Sequence, residues 1–129
     1  MLVSRAAGIC GPTLFPHLES YMKSSRDVLI QTNQMDAAAN FYEKVLEFKV
    51  IERSKQLVGF ETGSFRLFID KGEPYGPVFE FFVPHLKKAK KLLVENGCRV
   101  ELEDPLVPRC YIRDPFGLTF NIAEKSDAQ

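Results

Sequence analysis

Glu80 lies in the run Val78-Phe79-Glu80-Phe81-Phe82-Val83, where the two-residue period of a strand turns it to the same side as Val78 and Phe82. A carboxylate set among aromatic rings can serve as a general base or can hold a cationic ligand. The competing reading is an ion pair with a neighbouring arginine. Arg113 and Arg66 are the basic residues nearest this region, and a planar guanidinium suits a ligand carboxylate or phosphate as well as a structural carboxylate. Phe60, Phe68, Phe82, Tyr111 and Phe116 stand at strand or turn positions. Aromatic side chains there serve either as core or as a wall for a planar apolar compound. Gln31 and Asn121 add neutral polar groups to the candidate set.

Other chemistries lack their parts. The two histidines, His17 and His85, lie far apart with no HExxH spacing, and His85 falls at the head of a helix. Cys10, Cys98 and Cys110 form no CxxC pair, so they supply neither a zinc knuckle nor a disulfide framework. They read as thiols of a reducing compartment, and the expected location is cytoplasmic. No Ser-His-Asp order and no phosphate-cradling glycine loop is recognisable. Lys and Arg total 17 and Asp and Glu total 17, so net charge calls for neither nucleic acid nor an anionic membrane as partner. The Lys87-Lys88 and Lys90-Lys91 cluster reads as a solvated helix face.

At 129 residues the chain is long enough for one domain with a real core. The first 25 residues hold apolar stretches, but Arg5, Gly8, Gly11, Pro12 and Pro16 interrupt them well short of a membrane span. Residues 1–26 are expected as an arm, 27–124 as the domain and 125–129 as a tail. Val28 to Asn33 reads as a strand. Ala38, Phe41, Tyr42 and Val45 then fall at helical spacing, with Asp36 as an N-cap or first-turn acid, which predicts a helix from Asp36 to Leu46. Phe48 to Arg53, Leu57 to Thr62 and Phe65 to Asp70 supply three strands parted by turn residues.

Residues 71–77, KGEPYGP, read as a linker between module one (27–70) and module two (78–124). Beyond it the order repeats: a strand from Val78 to Val83, a helix carried by Leu86, Ala89 and Leu93 and ended by Asn96-Gly97, then strands Cys98 to Glu103, Arg109 to Arg113 and Leu118 to Ala123. A tandem β-α-β-β-β repeat predicts an α+β fold whose curved mixed sheets enclose a cleft, with the helices outside. The cleft is where a small molecule would bind.

Gln34-Met35-Asp36 with Phe41-Tyr42-Glu43-Lys44-Val45-Leu46-Glu47-Phe48 resembles the first-module signature of the vicinal oxygen chelate superfamily, with Glu47 where glycine is usual. Asp114-Pro115-Phe116-Gly117 followed by Leu118-Thr119-Phe120-Asn121 is similar to its DPxGxxxE ending, and Asn96-Gly97 matches its common helix end. The superfamily includes glyoxalase I, bleomycin- and fosfomycin-resistance proteins, extradiol dioxygenases and epimerases, so fold alone does not choose a reaction. The resemblance implies four metal-ligand positions, which fall on Leu29, Phe68, Val78 and Asn121. A register slip by one replaces the first three with Ile30, Ile69 and Phe79. Neither set suits a divalent metal, so no metal and no other cofactor is expected. A shifted set of Gln31, Glu80 and Asn121 stays open.

Three functions follow from these residues. The first is a metal-independent, non-catalytic protein holding an apolar or aromatic small molecule, as a homodimer, the unit the bleomycin-resistance branch implies. Its ligand contacts would come from Gln31, Phe60, Phe68, Phe82, Tyr111, Arg113, Phe116 and Asn121. The second is a glyoxalase- or dioxygenase-like enzyme with Glu80 as catalytic base or displaced metal ligand. The third is a structural or regulatory dimer whose own side chains fill the cleft.

Overall fold

The computed structural model describes residues 22–107 and 109–125. The expectations for Cys10, His17 and most of the arm, and for Pro108 and residues 126–129, lie outside them. Eight strands form one mixed sheet in the order β2-β3-β4-β1-β5-β8-β7-β6. Module one is β1 (Lys23–Thr32), α1 (Met35–Asn40), β2 (Lys49–Arg53), β3 (Leu57–Glu61) and β4 (Arg66–Lys71). Module two repeats it with β5 (Tyr75–Val83), α2 (Leu86–Glu95), β6 (Arg99–Asp104), β7 (Arg109–Arg113) and β8 (Thr119–Glu124). In each module the first and last strands pair in parallel, β1 with β4 and β5 with β8. The modules meet edge to edge through antiparallel β1 and β5, with Leu29 opposite Val78.

Three local differences from the sequence reading have physical causes. β1 begins at Lys23, four residues before the predicted domain edge, because backbone pairing of Lys23 and Ser24 with Phe82 and Phe81 needs no apolar side chain. Tyr75, expected in the linker, already pairs with Gln31, which leaves 72–74 as the connection. The first helix changes winding after Asn40: Phe41–Val45 is a π-helical turn in which the Leu46 N–H donates to the Phe41 carbonyl. Glu47 then takes the left-handed conformation (φ 59°) that Gly97 supplies after α2 (φ 99°).

Alternation divides the sheet into two faces. Val58, Phe60, Leu67 and Ile69 pack with Met35 and Ala39 of α1 in one core cluster. Cys110, Ile112, Phe120 and Ile122 pack with Val83 and Ala89 of α2 in the other. Burial of each large aliphatic side chain there contributes about 1.5–3 kcal/mol. No described helix is long and apolar enough to cross a membrane.

Candidate functional site

The opposite face of the sheet is concave, as one ion pair demonstrates. Arg109 of β7 donates to Asp70 of β4 at 3.1 Å, although β1, β5 and β8 stand between those strands. On a flat sheet four strand spacings are roughly 19 Å, far beyond the reach of a side chain, so the sheet must curl around the space between them. That space is a cleft of about 340 Å³, a volume suited to a small organic molecule.

Residues spaced by two along neighbouring strands aim into it. Leu29, Phe68 and Leu57 come from module one, and Val78, Glu80, Tyr111 and Asn121 from module two. Gly59 of β3 lies under Phe68: a Cβ there would stand 2.6 Å from the ring, so only glycine lets the ring lie flat against this wall. At one end Arg66 grips the carboxylate of Asp27 through Nε and Nη2 at 2.7 and 3.0 Å, and its guanidinium lies 5.6 Å from the centre of the Phe68 ring. At the other end Arg109 holds Asp70 and lies 5.9 Å from the centre of the Tyr111 ring. Gln56 also donates to Asp70, at 2.9 Å.

Asn121 is fixed by its neighbour. The Cys110 backbone N–H donates to Asn121 Oδ1 at 2.8 Å, which identifies the carbonyl end of the amide and turns Nδ2 toward Glu80 Oε2 at 3.4 Å. Burial pushes the Tyr111 phenol up, with Asp70 and Glu80 adding to the rise and Arg109 opposing it. Tyr75, stacked on Tyr111 with 5.6 Å between centroids, is pushed up to about 12 by burial and by donating to Glu101. Burial also raises Cys98 and Cys110, so neither is an activated thiol.

Of the residues nominated from sequence, Glu80, Phe68, Tyr111 and Asn121 meet in the cleft. The others do not. Phe60 is fully buried on the helix face, because β3 turns Leu57 and Gly59 inward and Phe60 away. Gln31 follows a β1 irregularity after Leu29, donates to the Glu73 carbonyl and lines a neighbouring depression with Tyr75. Phe82 is outside the lining set and lies 4.5 Å beneath the Lys125 ammonium. Arg113 is exposed and donates to Thr119 Oγ1 at 3.2 Å. Phe116 is 92% exposed in the β7–β8 turn. Sequence reasoning missed Asp27, Leu57, Val107 and Arg109 as lining residues. Alternation along β1 from Leu29 could have found Asp27, whereas nothing local announces the partner of Arg109.

Residues 24–122 match the model of the Glyoxalase/Bleomycin resistance protein/Dioxygenase superfamily. The chain belongs to this superfamily. No curated protein matches it. Among solved structures, lactoylglutathione lyase from Agrobacterium tumefaciens is 22% identical over 78% of this chain and 92% of its own, with a TM-score of 0.36. A hypothetical protein from Bacillus halodurans C-125 is 13% identical over 82% of this chain and 96% of its own, with a TM-score of 0.56. An extradiol ring-cleaving dioxygenase from B. fuscum is 19% identical over 83% of this chain, which spans 33% of that protein, with a TM-score of 0.59. The last two likenesses show the shared superfamily fold.

A divalent metal of the kind the resemblance implies would have to be held by the residues at four positions. The four positions assigned by resemblance, Leu29, Phe68, Val78 and Asn121, all line this one cleft. Three of them are hydrocarbon, and the only carbonyl donor, Asn121 Oδ1, already accepts from Cys110. A divalent cation needs several lone pairs to replace its hydration shell, and this set does not fit one. Gln31 lies outside the cleft lining, so the alternative set with Glu80 and Asn121 is not assembled either. Among the described residues no group of three His, Cys, Asp or Glu comes together.

Proposed function

We propose that this superfamily member is a metal-independent binding protein that holds a small, flat, largely apolar molecule in the cleft between its modules. The observation that carries this reading is the chemistry of the four converging positions, where Leu29, Phe68 and Val78 offer contact area and no coordination. Phe68 supplies an aromatic ring backed by the wall at Gly59, Tyr111 lines the floor, and the two arginine-carboxylate pairs stiffen the ends of the cleft without consuming its middle.

Native mass spectrometry of the purified protein, with and without a panel of divalent metals, tests it. The expected species carries no metal, is dimeric, and keeps its melting temperature across the panel. A metal-bearing species lost in Asn121→Ala overturns the reading. The enzyme reading draws on one feature, the Glu80 carboxylate in the cleft beside Asn121. Under that reading a ligand recovered after incubation is chemically altered, seen as a new mass for an oxygenation or as new NMR resonances for an isomerisation, and Glu80→Gln stops the change; under the binding reading it is recovered with mass and spectrum unchanged.

A further inference from the structure

We propose that the cleft selects a cationic ligand, an ammonium group on a flat aromatic body, with Glu80 as its counter-ion; this rests on the binding reading above. The charges of the cleft do not balance. The cleft and its ends hold three carboxylates, Asp27, Asp70 and Glu80, and two guanidiniums, Arg66 and Arg109. Asp27 is taken by Arg66 in a two-pronged pair, and Asp70 by Arg109. Glu80 has no cation within ion-pair distance among the described residues. One negative charge is left over.

The remaining partner of Glu80 cannot neutralise it. Asn121 is locked by the Cys110 N–H with its amide hydrogens toward Glu80, and the contact is long at 3.4 Å. An ionised carboxylate has about four acceptor sites, so most of its capacity is free for a donor in the cleft. Glu80 is half-buried beside hydrocarbon, where the attraction between opposite charges is stronger than in bulk water. The Phe68 ring lines the same cleft and already draws the Arg66 guanidinium, so an aromatic ring stands with the carboxylate to receive a cation. An anionic ligand has the opposite fate: it faces Glu80, and the charge of each guanidinium is already balanced by a carboxylate, Asp27 or Asp70.

Calorimetric titration of the full chain with three probes of one shape tests this: 2-naphthylmethylamine, 2-naphthylmethanol and 2-naphthoate at neutral pH. The expected result is an amine that binds at least about tenfold tighter than the alcohol, with the carboxylate weakest. In Glu80→Gln the advantage of the amine collapses. Rising salt weakens the amine alone, which gives a readout in wild-type protein should the variant fold poorly. Equal affinity of amine and alcohol, or a preference that survives Glu80→Gln, overturns the charge assignment and leaves an aromatic-binding cleft standing. Failure of all three probes to bind overturns the binding reading and this inference with it.

Discussion

Module one gives the cleft Leu29, Leu57 and Phe68, and its carboxylate there, Asp27, is already neutralised by Arg66. Module two gives it Val78, Phe79 and Tyr111 together with Glu80, Arg109 and Asn121 from the corresponding strands. On the other face of the sheet the two modules agree: Ile69 and Ile122, Phe60 and Ile112, Ala39 and Ala89 all pack between strand and helix. Repetition of the fold therefore fixes where side chains meet, and the alternate positions of each strand were free to diverge. Both halves supply apolar wall, and module two adds the polar groups Glu80, Arg109 and Asn121.

The likeness of the cores gives the largest expected effect. Ile69→Ala and Ile122→Ala each remove a side chain that is at most 1% exposed, and each is expected to cost about 2–5 kcal/mol. Because the modules share one sheet through β1 and β5, either variant should unfold in one denaturant transition. Two separated transitions would show that the modules are independent units.

A middle effect contrasts the two arginine pairs. Arg109→Met leaves Asp70, whose side chain is 8% exposed, without its cation, and is expected to cost about 1–3 kcal/mol. Arg66→Met opens a pair within module one whose members are 42% and 27% exposed, and the expected cost is about 0–1 kcal/mol. Equal losses in thermal melts would remove the distinction between a clasp across the cleft and a pair within one module.

The smallest effect concerns the helix ends. Glu47 holds a left-handed φ with a side chain, where module two uses Gly97. Glu47→Gly should therefore stabilise by about 0.5–1 kcal/mol, and Gly97→Ala should destabilise by about 1 kcal/mol or more, both read from chemical denaturation. A destabilising Glu47→Gly would mean that its side chain does more than accompany the turn.

The repeat was legible because strand and helix periods differ, and Ala38-Phe41-Val45 and Leu86-Ala89-Leu93 carry the helical one. Placement of Glu80 beside Val78 followed from the same alternation. Phe60 is not legible as a core residue because the cleft face of β3 carries only Leu57 and a glycine, Gly59, so the alternation that turns Phe60 to the helix is poorly marked. Gln31 went astray because an irregularity after Leu29 breaks the period of two. The clasp between Asp70 and Arg109 joins residues 39 positions apart, and only curvature of the sheet brings them together.

The order of strands also bears on how the chain may be cut and rejoined. Lys23 opens β1 against Phe82, and the Lys125 N–H, just past β8, donates to the Val83 carbonyl at 2.8 Å. Both ends of the described sheet thus flank the same end of β5, two strand spacings or roughly 10 Å apart. The short connection 72–74 joins the modules on the other side. A circular permutant linked from Lys125 to Lys23 and opened at Glu73 would translate module two first while keeping every strand pairing, because the succession of elements is already close to a ring.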